Sequence, residues 1–261
     1  MISETLLLIG RQRHNARDVL AVHADRLAQR DVVDDVVVAT YESEPVRELR
    51  NRIEGIEGDR VYVLPTCVAH THETIAEVPA VLSYLSGDVR YCEPLGGSPV
   101  VSEIIEEKAT ALAPASPDVS LILVGFGSSS KPYHRQMAEH HATRLQEHTD
   151  YADVLTCYLL QNPAVECVRY NVPTERAVAV PLFVTQSAAT ETRIPEELEL
   201  ARGGIEYADP LGTHQRLTDA IEAECCKQRA LAPADGSRPV SFEGTLAASR
   251  RPVATDGEGR P

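Results

Sequence analysis

Residues 121–130 read LILVGFGSSS, four apolar residues followed by a glycine and a polar loop. Residues 6–10, LLLIG, repeat the apolar part of this pattern near the N-terminus. A short, continuously apolar run that stops at glycine is typical of a strand buried in a parallel sheet. The two stretches therefore predict two sheets, each containing one such strand.

The segments around these two strands also occur twice. The helical stretch HADRLAQR from His23 matches HATRLQEH from His141. Prolines at corresponding places are separated by the same interval, since 181 − 65, 195 − 79 and 210 − 94 all equal 116. We infer a tandem duplication from this self-similarity.

Each copy alternates apolar strands with helical segments, which predicts parallel sheets covered on both faces. The predicted fold class is α/β, with two tandem doubly wound domains, each a four-stranded parallel sheet with helices on both faces. The expected boundaries are residues 1–113 and 118–231. Residues 232–261 are rich in Pro, Gly and Ser without periodicity, and they predict a disordered tail.

The composition narrows the class of protein. The net charge is −14 and only three of the 25 basic residues are lysines, a balance that resembles the acidic proteins of salt-loving archaea. Such a charge argues against nucleic-acid binding, which needs a basic surface. No apolar run reaches the ~20 residues of a membrane helix, and no basic leader precedes residues 5–9, so we expect a cytoplasmic protein. The six cysteines form no C-x-x-C pair and are expected to be reduced.

Residues 63–79, VLPTCVAHTHETIAEVP, hold the strongest candidate site. His70, His72 and Glu73 follow a predicted strand, and the carboxyl ends of parallel strands are where ligands bind in this architecture. If the loop is extended, His70 and His72 project on one side of the backbone. A hydrogen-bonded surface loop is the simpler alternative.

The combination of VGFGSSS, AVPLFV, RIPEEL and DPLG resembles the sirohydrochlorin cobaltochelatase/ferrochelatase family, over about residues 5–226. The resemblance implies two chelatase-like domains that insert Co²⁺, or else Fe²⁺ or Ni²⁺, into a sirohydrochlorin-type tetrapyrrole in cobalamin or siroheme synthesis. It implies no permanently bound cofactor, with the divalent metal acting as a substrate. Because two copies in one chain could bury the face that single-copy relatives use to dimerise, we expect a monomer.

The metal-contacting histidines of that family are replaced in both copies. Arg11 and Phe126 occupy the histidine position after the first strand of each copy, while Glu73 and Ala189 occupy the position in the second loop. The second copy therefore lacks both ligands. In the first copy, the predicted metal ligands are His72, His70, His14 and Glu73, of which His72, Glu73 and His70 are also the predicted catalytic residues.

A substrate with eight carboxylates also needs cations and hydrogen-bond donors. Arg11 and Arg13 could clamp carboxylates, although the charge of Arg11 would also repel a metal. Glu42, Gly127 and Ser128 are further candidates for lining the pocket.

Two functions remain open at this point. The first is a fused chelatase whose N-terminal copy works through a rearranged His/Glu set. The second is a catalytically degenerate relative that binds tetrapyrrole or metal as a scaffold or delivery protein. Convergence of His14, His72 and Glu73 across one crevice would favour the enzyme, and divergence would favour the binding protein.

Overall fold

The computed structural model describes residues 2–232, which form two four-stranded parallel sheets. The first sheet contains β1 (Glu4–Arg11), β2 (Asp35–Tyr41), β3 (Arg60–Pro65) and β4 (Asp88–Tyr91), in the order β2-β1-β3-β4. The second contains β5 (Val119–Gly125), β6 (Val154–Tyr158), β7 (Arg176–Pro181) and β8 (Ile205–Tyr207), in the order β6-β5-β7-β8. The α/β fold predicted from the sequence is confirmed. The predicted tail, except for Ala232, lies outside the described residues.

Eight α-helices connect these strands within residues 2–232. The long ones are α1 (Ala16–Gln29), α4 (Pro99–Leu112), α5 (Tyr133–His148) and α8 (Gln215–Ala230). The short ones are α2 (Pro45–Ile53), α3 (Val78–Val81), α6 (Val165–Val168) and α7 (Ile194–Glu197). A five-residue π-helical turn precedes α3 at Glu73–Glu77, and another precedes α7 at Ala189–Arg193. None of the helices within the described residues is long and apolar enough to cross a membrane.

The strands are buried on both faces because successive side chains alternate between two cores. On β1, Leu6 and Leu8 belong to a core that extends into the second domain, whereas Leu7 and Ile9 pack with α2 and α3. The second sheet has its own outer core against α6 and α7. The shared inner core lies around the four long helices, so both sheets are stabilised by one apolar interior.

The helices that end the two halves pack against the opposite sheet. Helix α4 follows the first sheet in sequence but packs on α5 and β7, and α8 follows the second sheet but packs on α1 and β3. The two halves thus exchange their last helices, α4 and α8. Two buried histidines stabilise this exchange: His23 Nδ1 lies 2.8 Å from Thr218 Oγ1, and His141 Nδ1 lies 2.8 Å from Ser102 Oγ. Both histidine side chains are fully buried.

Candidate active site between the two domains

A cavity of about 400 Å³ lies where the carboxyl ends of the two sheets meet. Its walls come from both domains: Tyr41, Thr66, Val68 and Ala69 on one side, and Leu182, Phe183, Val184 and Ala189 on the other. This is the end of a doubly wound sheet at which ligands are expected. A largely apolar cleft with a few polar groups is the usual form of a small-molecule site.

The charged groups of the first domain come from the ends of β1 and β3. Arg11, Arg13 and Glu73 all line the cleft. Arg11 Nη1 donates to Glu73 Oε1 at 3.0 Å, and Arg11 Nε donates to the carbonyl oxygen of Glu42 at 3.1 Å. Two guanidinium groups beside an apolar wall can bind an anionic, partly apolar molecule.

Glu73 is the carboxylate of this cleft. It opens the π-helical turn after β3, an irregularity that often marks functional sites. Burial alone would raise the pKa of Glu73, but hydrogen bonds from the Thr71 hydroxyl and its own backbone N–H, with the charge of Arg11, outweigh burial and lower the pKa. Glu73 is therefore anionic at neutral pH.

The second domain contributes an imidazole. His134 lies in the first turn of α5 and lines the cleft beside Phe126, with ring centroids 6.2 Å apart. Burial lowers the pKa of His134, and the negative charge of Glu73 opposes that shift only in part. A neutral imidazole and a carboxylate thus face the same cavity from opposite domains.

His134 was not predicted from the sequence as a site residue. It lies in the first helical turn after the glycine loop of the second copy, and Ala16 occupies the corresponding place in the first copy, by the spacing of His23 and His141. A polar residue in that turn, directly beyond a carboxyl strand end, is the signal that could have identified it.

The three predicted histidines do not converge on the cleft. His70 is hydrogen-bonded to Thr74 Oγ1 at 3.2 Å and lies 3.3 Å from Glu93 Oε2. The side chain of His72 is 73% exposed, with its Nε2 3.9 Å from Glu77 Oε1. His14 lies 3.5 Å from Glu191 of the second domain, with 65% of its side chain exposed.

The expected extended loop is wrong at His72, and this explains the divergence. His72 has helical backbone angles (φ −59°, ψ −44°) because the turn of Glu73 has already begun. Residues two apart on a helical turn are separated by about 200°, so their side chains do not share one side as they would on a strand. Of the four predicted ligands, only Glu73 lines the cleft. Among residues 2–232, no group of three or more His, Cys, Asp or Glu side chains is arranged to hold a metal ion.

The remaining predicted residues lie outside the cleft lining. Glu42 is exposed and touches the site only through its carbonyl oxygen, which accepts from Arg11. Gly127 has φ +79°, a left-handed conformation that favours glycine, and Ser128 N donates to Gln161 Oε1 at 3.0 Å. These contacts stabilise the loop that contains Phe126.

The cysteines offer no thiolate ligand at the cleft. All six are free. Cys67 lines the cleft, but burial raises its pKa to about 12, with the charge of Glu73 adding to the effect. It is therefore a neutral thiol at physiological pH.

The architecture and the cleft together define a two-domain, chelatase-like α/β protein. Residues 120–228 match the CbiX family model. The chain is 25% identical over 224 residues to a protein of Halobacterium salinarum named "Probable sirohydrochlorin cobaltochelatase", covering 74% of this chain and 76% of that one. The resemblance to the sirohydrochlorin chelatases is therefore confirmed, and the match to the CbiX model falls on the C-terminal domain.

Solved structures show the same fold. SirB from Bacillus subtilis with Fe³⁺ matches with a TM-score of 0.72 at 16% identity, over 88% of this chain and 96% of that one. CbiX, the terminal enzyme for siroheme biosynthesis in denitrifying bacteria, matches with a TM-score of 0.68 at 19% identity, over 85% of this chain and 98% of that one. DR2241 from Deinococcus radiodurans, a multi-domain protein with structural similarity to chelatases, matches with a TM-score of 0.71 at 20% identity over 88% of this chain. The chain spans 56% of the length of DR2241.

Proposed function

We propose that the protein inserts a divalent metal into a sirohydrochlorin-type tetrapyrrole bound in the cleft between its domains. The observation that carries this proposal is the pairing of anionic Glu73 with neutral His134 across an apolar cavity. Insertion requires a weakly held metal ion and an acceptor for the two pyrrole N–H protons that leave as the metal enters. A carboxylate and a neutral imidazole together supply both.

The walls of the cleft suit a planar, anionic macrocycle. Phe126 and Phe183 lie edge to face, with ring centroids 6.3 Å apart, and the Phe126 side chain is partly exposed to the cavity. Aromatic rings of this kind can pack against a tetrapyrrole. Arg11 and Arg13 lie at the same cavity and could bind carboxylates at the ring periphery.

We propose Co²⁺ as the metal substrate, with Fe²⁺ or Ni²⁺ as the next candidates. The name of the Halobacterium relative supports cobalt, and a structure of B. subtilis SirB is a complex with cobalt. An imidazole and a carboxylate can bind all three ions, so these donors alone do not select one. We also propose that the protein is a cytoplasmic monomer. It would act on small-molecule substrates and not on nucleic acid.

One observation favours a second function, that of a protein which binds tetrapyrrole or metal without inserting it. Arg11 forms an ion pair with Glu73 at 3.0 Å, and the expected convergence does not occur, because His14 and His72 are exposed and do not line the cleft. A cation already bonded to the carboxylate opposes the entry of another.

The experiment is an anaerobic absorbance assay with sirohydrochlorin and Co²⁺ in high salt. We expect sirohydrochlorin to be converted to its metal complex faster with the protein than without it. If the Glu73 carboxylate holds the metal, the Glu73→Gln variant should lower this rate by about tenfold or more. Glu77→Gln is the matched control, because Glu77 belongs to the same π-helical turn but does not line the cleft. A His70→Ala/His72→Ala double variant tests the site predicted from the sequence. Spectral shifts on binding without metal insertion would establish the second function instead.

A further inference from the structure

A second cavity, of about 360 Å³, lies on the seam between the two domains. Asn15 Nδ2 donates to Gln186 Oε1 at 3.1 Å, and Gln186 N donates to Asn15 Oδ1 at 3.0 Å. Gln186 lines this second cavity, whereas its neighbours Thr185 and Ser187 line the cleft. The two cavities therefore lie on either side of one segment of backbone.

Lys108 is the cation of the second cavity. It projects from α4, is partly buried and lines the cavity together with Asp209. Within residues 2–232 its ammonium group has no hydrogen bond, and no carboxylate lies within ion-pair distance; Asp209 acts on it only at longer range. Burial lowers the pKa of Lys108, and the charge of Asp209 opposes this shift. A half-buried ammonium group without a partner is unfavourable unless something else neutralises it.

The corresponding place in the other half of the molecule is filled. With the 116-residue interval (224 − 108, 209 − 93, 186 − 70), Lys108 corresponds to Glu224, Asp209 to Glu93, and Gln186 to His70. There, Glu224 Oε1 accepts from the backbone N–H of Glu93 at 3.0 Å, and His70 lies 3.3 Å from Glu93 Oε2. Tyr133 closes the group against His70, with ring centroids 6.1 Å apart. One half thus satisfies its polar groups internally, while the other keeps an open cavity and a cation without an ion-pair partner among residues 2–232.

We propose that the cavity beside Lys108 is a carboxylate-binding site. One ammonium group can neutralise one carboxylate, and the amide of Asn15 can donate a further hydrogen bond. A phosphate dianion is disfavoured because Asp209 lines the same cavity and the chain carries a net charge of −14. The site therefore takes a single carboxylate.

This carboxylate can come from two sources. It can be a free small carboxylic acid, or it can be a peripheral carboxylate of a tetrapyrrole that reaches past Gln186 from the cleft. Only the second source rests on the proposed function, and the carboxylate site itself does not.

The test uses the three lysines of the chain, Lys108, Lys131 and Lys227, as internal references for one another. The full-length protein is acetylated with a limiting amine-specific reagent, and the rate at each lysine is read by peptide mass spectrometry. The arms contain KCl alone, propionate, inorganic phosphate or sirohydrochlorin, all at one ionic strength. We expect a saturating carboxylate to slow acetylation of Lys108 by about fivefold or more, with Lys131 and Lys227 unchanged.

Each outcome decides the proposal. Protection by propionate supports a site for free acids. Protection by micromolar sirohydrochlorin that disappears in a Phe126→Ala variant supports binding of a ring carboxylate through the cleft. Protection by phosphate that exceeds both would overturn the assignment to a carboxylate, and equal rates at Lys108 in all four arms would overturn the site. Because the readout is acetylation, a protein without chelatase activity would still give a clear result.

Discussion

The local environments of Glu73 and His134 keep the carboxylate anionic and the imidazole neutral. Hydrogen bonds hold the pKa of Glu73 low enough to keep it anionic, while burial lowers the pKa of His134 and keeps it neutral. A neutral imidazole can accept a proton or bind a metal, whereas an imidazolium can do neither. The proposed chemistry therefore depends on pH through His134.

The pH profile of metal insertion should report this imidazole. The rate should fall as the pH drops through the lowered pKa of His134, because protonation removes the base. We expect His134→Gln to reduce the rate by about 10²-fold or more and to remove this acidic limb. The measurement is the initial rate against pH under the same anaerobic conditions.

His14→Gln is the control, since His14 is exposed and does not line the cleft. It should retain the acidic limb of the profile. If the acidic limb of the pH profile were unchanged in His134→Gln, the group that titrates there would be another residue.

The residues of the cleft that could be predicted from the sequence are those that follow a predicted strand. Arg11, Arg13 and Glu73 follow β1 and β3 closely, so the topology brings them to the cleft. His72 could not be placed, because the start of a π-helical turn depends on packing rather than on a local pattern. That His70, His72 and His14 bind the metal, and that His70 and His72 also act in catalysis, stay predictions.

At the scale of elements, the exchange of α4 and α8 was not visible in the sequence. Amphipathic spacing indicates that a helix buries one face, but it does not identify the sheet against which that face packs. The parallel sheets follow from continuous apolar runs that alternate with helical segments, so they were easier to predict. Contacts such as His141 with Ser102 reveal the exchange.

The α4–α5 contact should make stability depend on pH. Burial lowers the pKa of His141 to about 4, below the ordinary value of 6.5. Between these two values the unfolded chain binds a proton that the folded chain does not, so stability is complete above about pH 6.5 and falls as the pH drops towards 4. The expected loss is about 2–3 kcal/mol in the free energy of unfolding.

Urea unfolding at pH 7 and pH 5 measures this effect. His141→Gln should flatten the pH dependence relative to the unmodified protein, because glutamine does not titrate. His140→Gln is the matched control, since His140 is the exposed neighbour on the same helix. Equal pH dependence in the two variants would contradict the assignment to His141.

At the scale of the whole molecule, the shared inner core makes the two halves depend on each other. Val101, Ile104 and Ile105 of α4 are fully buried in the core that also holds Leu121 and Val178 of the second sheet. In the other direction, Arg30, which directly follows α1, binds Asp219 and Glu222 of α8 at 2.8 and 2.7 Å. The two sheets are therefore held by helices that arrive from the opposite half.

This exchange predicts that fragments 1–117 and 118–261 do not fold alone. Fragment 1–117 would expose the apolar face of α4 and leave its own sheet without α8, which would remove much of the inner core. We expect each fragment to lack a cooperative thermal transition by circular dichroism, and we expect the mixture to regain one as a 1:1 complex in gel filtration. A chain cleaved between residues 113 and 118 after folding is the control, and it should stay associated. A cooperative, monomeric transition of fragment 1–117 alone would mean that its sheet does not need α8, and that the contacts of Arg30 and His23 with α8 contribute little to its folding.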